Sequence, residues 1–248
     1  MLLRPLVIVL CLTFLVSALP LVGAQAMSVS PIEVEMSSVG MKSRAQITVT
    51  NDSPDPLPVQ AVVQTLSLNE RGEKKLTIAD DDLFVFPMQA MIAPGGVQVF
   101  RMQWVGEPEL SQSKSFLVSL NQVPVRVKGA RTQVQVVIGL GVLINIAPPT
   151  GMPKIKLLQT GIVRDPVSGA RHPTISVENI SNVHALISQS TVHLSADGWS
   201  MAIPAGRLQS KLGIGLVQPG KRRTFTLPVD LPPHVENVAA DIEFKPKR

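Results

Sequence analysis

Residues 132–148 read TQVQVVIGLGVLINIAP, and at a period of two they separate into two faces. Val134, Val136, Ile138, Leu140, Val142, Ile144 and Ile146 fall on one face without a break. Gln133, Gln135, Val137, Gly139, Gly141, Leu143 and Asn145 fall on the other. Alternation with β-branched side chains predicts a strand. Its length is unusual, because ordinary strands have about 5–6 residues and this one would span roughly 50 Å at ~3.3 Å per residue. A small domain does not cover such a length on both faces. Part of the strand is therefore expected to project and offer its apolar row to another body. A central strand buried in a sandwich stays open as the plainer reading. Gly139-Leu140-Gly141 begins like a dinucleotide fingerprint, but Ile144 stands at the third glycine and no helix pattern follows.

The segments before it are short and punctuated by Pro, Gly, Asn and Asp. Residues 45–50 (AQITVT) run into the turn cluster Asn51-Asp52-Ser53-Pro54, whose side chains can bond their own backbone. Residues 57–66 alternate next, and Asn69-Glu70-Arg71-Gly72 turns the chain. Residues 84–87 and Pro94-Gly95 bracket a further connection. Residues 97–105 then put Phe100, Met102 and Trp104 on one face, and 116–123 form the strand before the long one. About seven short strands with regular turn signals predict an immunoglobulin-like sandwich over residues 27–148. Residues 27–36 read as one ordinary first strand. Pro148-Pro149-Thr150-Gly151 forms a stiff hinge, and residues 151–248 again read as strands, at 155–158, 174–177, 185–194, 199–203 and 223–227. The two halves show no clear internal repeat.

Residues 1–26 change the picture of where the chain works. Arg4, an apolar run over 6–22 and Ala24-Gln25-Ala26 make a secretory leader with a small-x-small cleavage site. The chain's one cysteine, Cys11, lies within it. The remainder enters an oxidising route without a disulfide, so each domain relies on its own core. The formal net charge of +5 is dispersed, apart from Lys221-Arg222-Arg223 and the basic residues of 245–248. With no tyrosine, two tryptophans and no nucleic-acid motif, a nucleic-acid partner is not expected.

Candidate chemistry is sparse. His172, His184, His193 and His234 lack metal-type spacing, although His184 and His193 could meet across a hairpin. No G-x-S-x-G elbow occurs. Asp80-Asp81-Asp82 lacks the other ligands and the glycine of a calcium loop. The nine methionines are too scattered for a copper box. No metal, cofactor or enzymatic activity is expected.

Several short motifs occur in a telling order: Val49-Thr50-Asn51, Pro58-Val59-Gln60, Phe86-Pro87, Pro94-Gly95, then Gln98 and Phe100-Arg101. FLVSLNQVP (116–124), a basic loop VRVKGAR and the long strand closing at Pro148 follow. In the second half come Val177-Glu178-Asn179, Ser181-Asn182-Val183-His184 and Val217-Gln218-Pro219-Gly220. Together they resemble the periplasmic chaperones of the chaperone–usher pathway, which assemble pili and surface fibres. The resemblance implies an all-β protein of two immunoglobulin-like β-sandwich domains set at an angle, working in the periplasm without catalysis. It implies two partners, a pilus or fibre subunit whose sandwich lacks a strand and an outer-membrane usher. The chaperone lends its long strand to that subunit, with Val134, Val136, Ile138 and Leu140 at the lending positions and Val142 as a possible continuation. An unoccupied row of this kind invites self-capping by dimerisation. The resemblance departs at the anchor for the subunit's terminal carboxylate. The family's first-strand arginine falls at Glu33 or Glu35, its last-strand lysine at Leu143, and its basic residue before the closing proline at Ala147. The lending row carries over and the anchor does not. The alternative is a secreted β-sandwich binding module or a structural fibre subunit, which would need a donor extension before its first strand.

Overall fold

Strand alternation in the first half becomes the two inner faces of a sandwich. The computed structural model describes residues 27–79, 82–124 and 138–246. The first half holds β1 (Met27–Ser30), β2 (Glu33–Ser37), β3 (Arg44–Asn51), β4 (Leu57–Leu68), β5 (Lys74–Ile78), β6 (Leu83–Phe86), β7 (Gln89–Ile92), β8 (Val97–Trp104), β9 (Lys114–Gln122) and β10 (Gly139–Ala147). One sheet runs β1-β3-β8-β6; the other runs β2-β10-β9-β4-β5, with β7 also on β4. Ile47, Val49, Val85, Phe100 and Met102 from the first sheet meet Val59, Phe116, Val118, Leu120, Val142, Ile144 and Ile146 from the second. The expected sandwich is present.

The first strand departs from expectation. It is split, β1 pairing antiparallel with β3 in one sheet and β2 parallel with β10 in the other. The break falls at Pro31, between the last pair of one ladder, Ser30 with Thr48, and the first contact of the other, Leu143 N with Ile32 O. The long strand is seen from Gly139; residues 132–137 lie outside the described residues.

The second half holds β11 (Ile155–Arg164), β12 (Arg171–Asn179), β13 (Ala185–Leu186), β14 (Ser190–Ala196), β15 (Trp199–Ile203), α1 (Ala205–Leu212), β16 (Leu216–Val217), β17 (Arg222–Thr226) and β18 (Ala239–Phe244). Its sheets run β11-β12-β17, β13-β16 and β15-β14-β18 around Ile175, Val177, Ile187, Val192, Leu194, Ile203, Leu208 and Phe225. The strand expected over 185–194 is interrupted by a 3-10 turn at Ile187–Gln189. Ala185, Leu186, Ile187 and Ser188 are all buried, so the chain crosses between sheets there instead of lying on one. Helix α1 was not expected from the pattern. It anchors through the buried Leu208 and ends at Gly213, whose positive φ of 69° lets its N–H reach the Gln209 carbonyl.

The two halves share one corner that the sequence did not declare as a repeat. Asn51 and Asn179 are both fully buried, each in a V-x-N-x-S run. Asn51 Nδ2 donates to the carbonyls of Asp55, Ile92 and Ala93, and its Oδ1 accepts from Ser53 N and Oγ. Asn179 Nδ2 donates to Val183 and Val217, and its Oδ1 accepts from Ser181 N and Oγ. Each backbone N–H meets a Pro-Gly turn, Asn51 at Gly96 O and Asn179 at Lys221 O. Gly95 and Gly220 supply the positive φ (64° and 65°) that this turn requires.

Asn179→Ala leaves two buried carbonyls without their donor and should cost about 1–3 kcal/mol. Urea denaturation followed by Trp199 emission, in a Trp104→Phe background, measures it. An unchanged midpoint would contradict the clamp.

Candidate binding edge and interdomain cleft

Strand β10 has four commitments, and only one is incomplete. Along one edge it pairs antiparallel with β9 from Gly139 opposite Asn121 to Ile146 opposite Lys114. Along the other it pairs with β2 only from Leu143 to Ala147. Leu143 N donates to Ile32 O at 3.0 Å, where the pairing starts. From Gly139 to Val142 no strand lies on that side among the described residues. Backbone groups alternate along a strand, so the N–H and C=O of Gly139 and Gly141 point the way Leu143 does, toward the uncovered edge. Ile138 points oppositely, its carbonyl accepting from Gln122 N at 2.9 Å.

The side chains divide the same way. Val142, Ile144 and Ile146 are fully buried in the sandwich core. Ile138 and Leu140 are half-buried and pack against the end of that core. Val142, the possible continuation of the lending row, is therefore already used by its own domain. Val134 and Val136 lie outside the described residues. The opposite face carries no side chain at Gly139 and Gly141. A Cβ at Gly139 would stand 2.7 Å from Asn121 Oδ1, and one at Gly141 3.0 Å from Leu117 Cδ1.

Where β2 covers β10, the odd-numbered side chains face the second unit. Leu143 packs with Leu66, Leu68, Leu186 and Leu216 in one buried cluster that joins the two halves. Asn145 is fully buried; it donates to Glu35 Oε1 at 2.8 Å and accepts from Ser115 Oγ at 2.8 Å. Glu35 Oε2 meets His184 Nε2 at 2.5 Å. His184 is buried, and its backbone N–H donates to Ser113 Oγ. Gln218 ties the units again, accepting from Leu68 N at 2.9 Å and donating to Leu66 O at 2.8 Å. Thr224 N donates to Glu70 O. Arg223 lies against Gly72, where a Cβ would approach its Nη2 to 2.5 Å, and Nη1 donates to Leu216 O at 2.6 Å. Burial pulls the pKa of this guanidinium below its ordinary value.

At the candidate anchor positions, Leu143 lies opposite Glu33, and Asn145 opposite Glu35. Neither carries a cation. Leu143 is part of the interdomain cluster, and the Glu35 carboxylate is held by Asn145 and His184. His184 does not stand in a hairpin with His193, which is exposed on β14. The roles of Ser113, His184 and Gln218 had no local signal, because their partners are far away in sequence. Among the described residues, no group of three or more His, Cys, Asp or Glu could hold a metal ion.

No protein-family model matches the chain, and no curated protein sequence matches it. Solved structures do. The class 5 fimbriae chaperone CfaA is similar at a TM-score of 0.52 and 14% identity, over 89% of this chain and 100% of that one. The YadV chaperone is similar at 0.53 and 14%, over 87% and 91%. A chain from the complex of the Salmonella enterica SafA pilin with the SafB chaperone is similar at 0.53 and 15%, over 82% and 85%. At these identities the likeness is one of fold, and it extends through both halves.

Leu143→Ala opens the centre of the interdomain cluster and should cost about 2–5 kcal/mol. It should also speed proteolysis within residues 149–154, with both sandwiches remaining resistant. Cleavage no faster than in the wild type would mean that the leucine cluster does not hold the units together.

Proposed function

We propose that this protein is a non-enzymatic periplasmic chaperone that folds, caps and delivers pilus or surface-fibre subunits by lending them a β-strand. The observation that carries the reading is the half-covered edge of β10. Gly139 and Gly141 turn backbone donors and acceptors to an edge with no partner strand among the described residues, beside the apolar row that contains Ile138 and Leu140. An incomplete subunit sandwich needs those two things: a strand to pair with, and alternate side chains to fill its groove. The fold likeness to fimbrial chaperones supports the same reading.

The lending row then comprises Val134, Val136, Ile138 and Leu140. A fully buried aliphatic side chain contributes ~1.5–3 kcal/mol. Ile138 and Leu140 already pack partly against their own core, which lowers their share. Association costs take up much of the total. Without a client, the row caps itself against a second copy. A leader over 1–26 is removed on export, the sandwiches divide at 148–151, and an outer-membrane usher receives the loaded chaperone.

The test is periplasmic co-expression with the fibre subunits encoded beside this chain, each stripped of its N-terminal donor segment. The wild type should keep one of them soluble and co-purify with it. Ile138→Asp should abolish this while leaving the circular dichroism spectrum native, whereas Val142→Asp should unfold the first sandwich. Failure of every subunit to co-purify, or undisturbed capture by Ile138→Asp, would overturn the reading.

Salt distinguishes how the client is held. With Leu143 in the interdomain cluster and Glu35 already bonded, affinity should rest on apolar pockets and fall little as ionic strength rises, since screening acts mainly on exposed charges. Client affinity across a salt series measures this; a steep loss would show that a basic group elsewhere holds the client.

A further inference from the structure

The sheet β1-β3-β8-β6 has an outer face that neither the core nor β10 uses. Its register sets Phe84, Gln103 and Arg44 in one row and Phe86, Arg101 and Gln46 in the next. Leu83, Val85 and Met102, which alternate with them, are buried on the inner face. Phe84 and Phe86 are thus held outward by the strand itself, 55% and 60% exposed. The two rows line a depression of about 700 Å³. Strand β6 is the edge of this sheet, and two outward phenylalanines there are a solubility liability unless something covers them.

The charge on the face says what kind of occupant fits. Arg44 and Arg101 sit diagonally on adjacent strands, so their Cβ atoms are roughly 7–8 Å apart. Neither makes an ion pair among the described residues, and neither row contains an acid. Nearby, Asp82 is engaged by Lys114 at 2.5 Å. Two cations with no acid in either row give this face a positive character. A carboxylate between them is balanced by both charges and gains charge-assisted hydrogen bonds. The rings, two residues apart on one strand, provide apolar contact beside it. A polyphosphate would require a longer basic track than two arginines flanked by Gln, Ser and Thr.

We infer that this platform docks an extended acidic segment of a partner protein, with carboxylates alternating with apolar side chains. It belongs to the sheet opposite β10, about 10 Å away across the sandwich. Both surfaces can therefore be occupied at once, and the inference does not rest on strand lending.

The experiment follows fluorescence anisotropy of a short labelled peptide alternating Glu with Val and Phe, and of a counterpart with Lys for Glu, titrated with the intact chain. The acidic peptide should bind about tenfold tighter than the Lys peptide. Arg44→Glu, Arg101→Glu and Phe86→Ser should each weaken it about tenfold with unchanged circular dichroism, while Ile138→Asp should leave it unaltered. Absent binding, equal affinity for the two peptides, or indifference to Arg101→Glu would overturn the inference. So would displacement by an oligonucleotide in preference to the peptide. Light scattering in which Phe86→Ser abolishes self-association, with no effect on the peptide, would assign the platform to a second copy instead.

Discussion

The parallel pairing of β2 with β10 decides what the rest of the first sandwich can offer. It covers β10 from Leu143 to Ala147 and stops where Leu143 N meets Ile32 O. Pro31 lies just past that contact, where the first strand leaves one sheet for the other. Everything beyond the stop follows from alternation. The backbone of Gly139 and Gly141 turns to an uncovered edge, and Ile138 and Leu140 extend the row begun by Val142, Ile144 and Ile146 past the filled part of the core.

The covered half of the same strand holds the two units together. Leu143 is held among leucines from both halves, and Asn145 and His184 both bond the Glu35 carboxylate. The cleft at these positions is thus organised by a bonded carboxylate and apolar contact. Arg223 adds to the seal, since its guanidinium occupies the space that Gly72 leaves and bonds a carbonyl of its own unit.

Much of the architecture was legible because its strands alternate cleanly and end at turn residues. Residues 45–50, 97–105 and 116–123 are of this kind and appear as β3, β8 and β9. What was not legible had no local period. Ala185 to Ser188 are buried on every side and cross between sheets. Helix α1, eight residues long, is too short to display a periodicity. Of the apolar row read from residues 132–148, Ile138, Leu140, Val142, Ile144 and Ile146 pack on the core; Val134 and Val136 lie outside the described residues. The interdomain network could not be read locally, because Glu35 and His184 meet across 149 positions of sequence. Leu143 looked like a missing anchor in the sequence; in the fold it is a contact between domains.

The account stands on the uncovered edge at Gly139 and Gly141. Site-resolved amide hydrogen exchange, read with and without a bound subunit, tests it most directly. The account predicts fast exchange at Gly139 and Gly141 in the free protein and strong protection in the complex, with Leu143 and Asn145 protected in both. Protection of the two glycines in the free monomer, or their continued fast exchange in the complex, would contradict it.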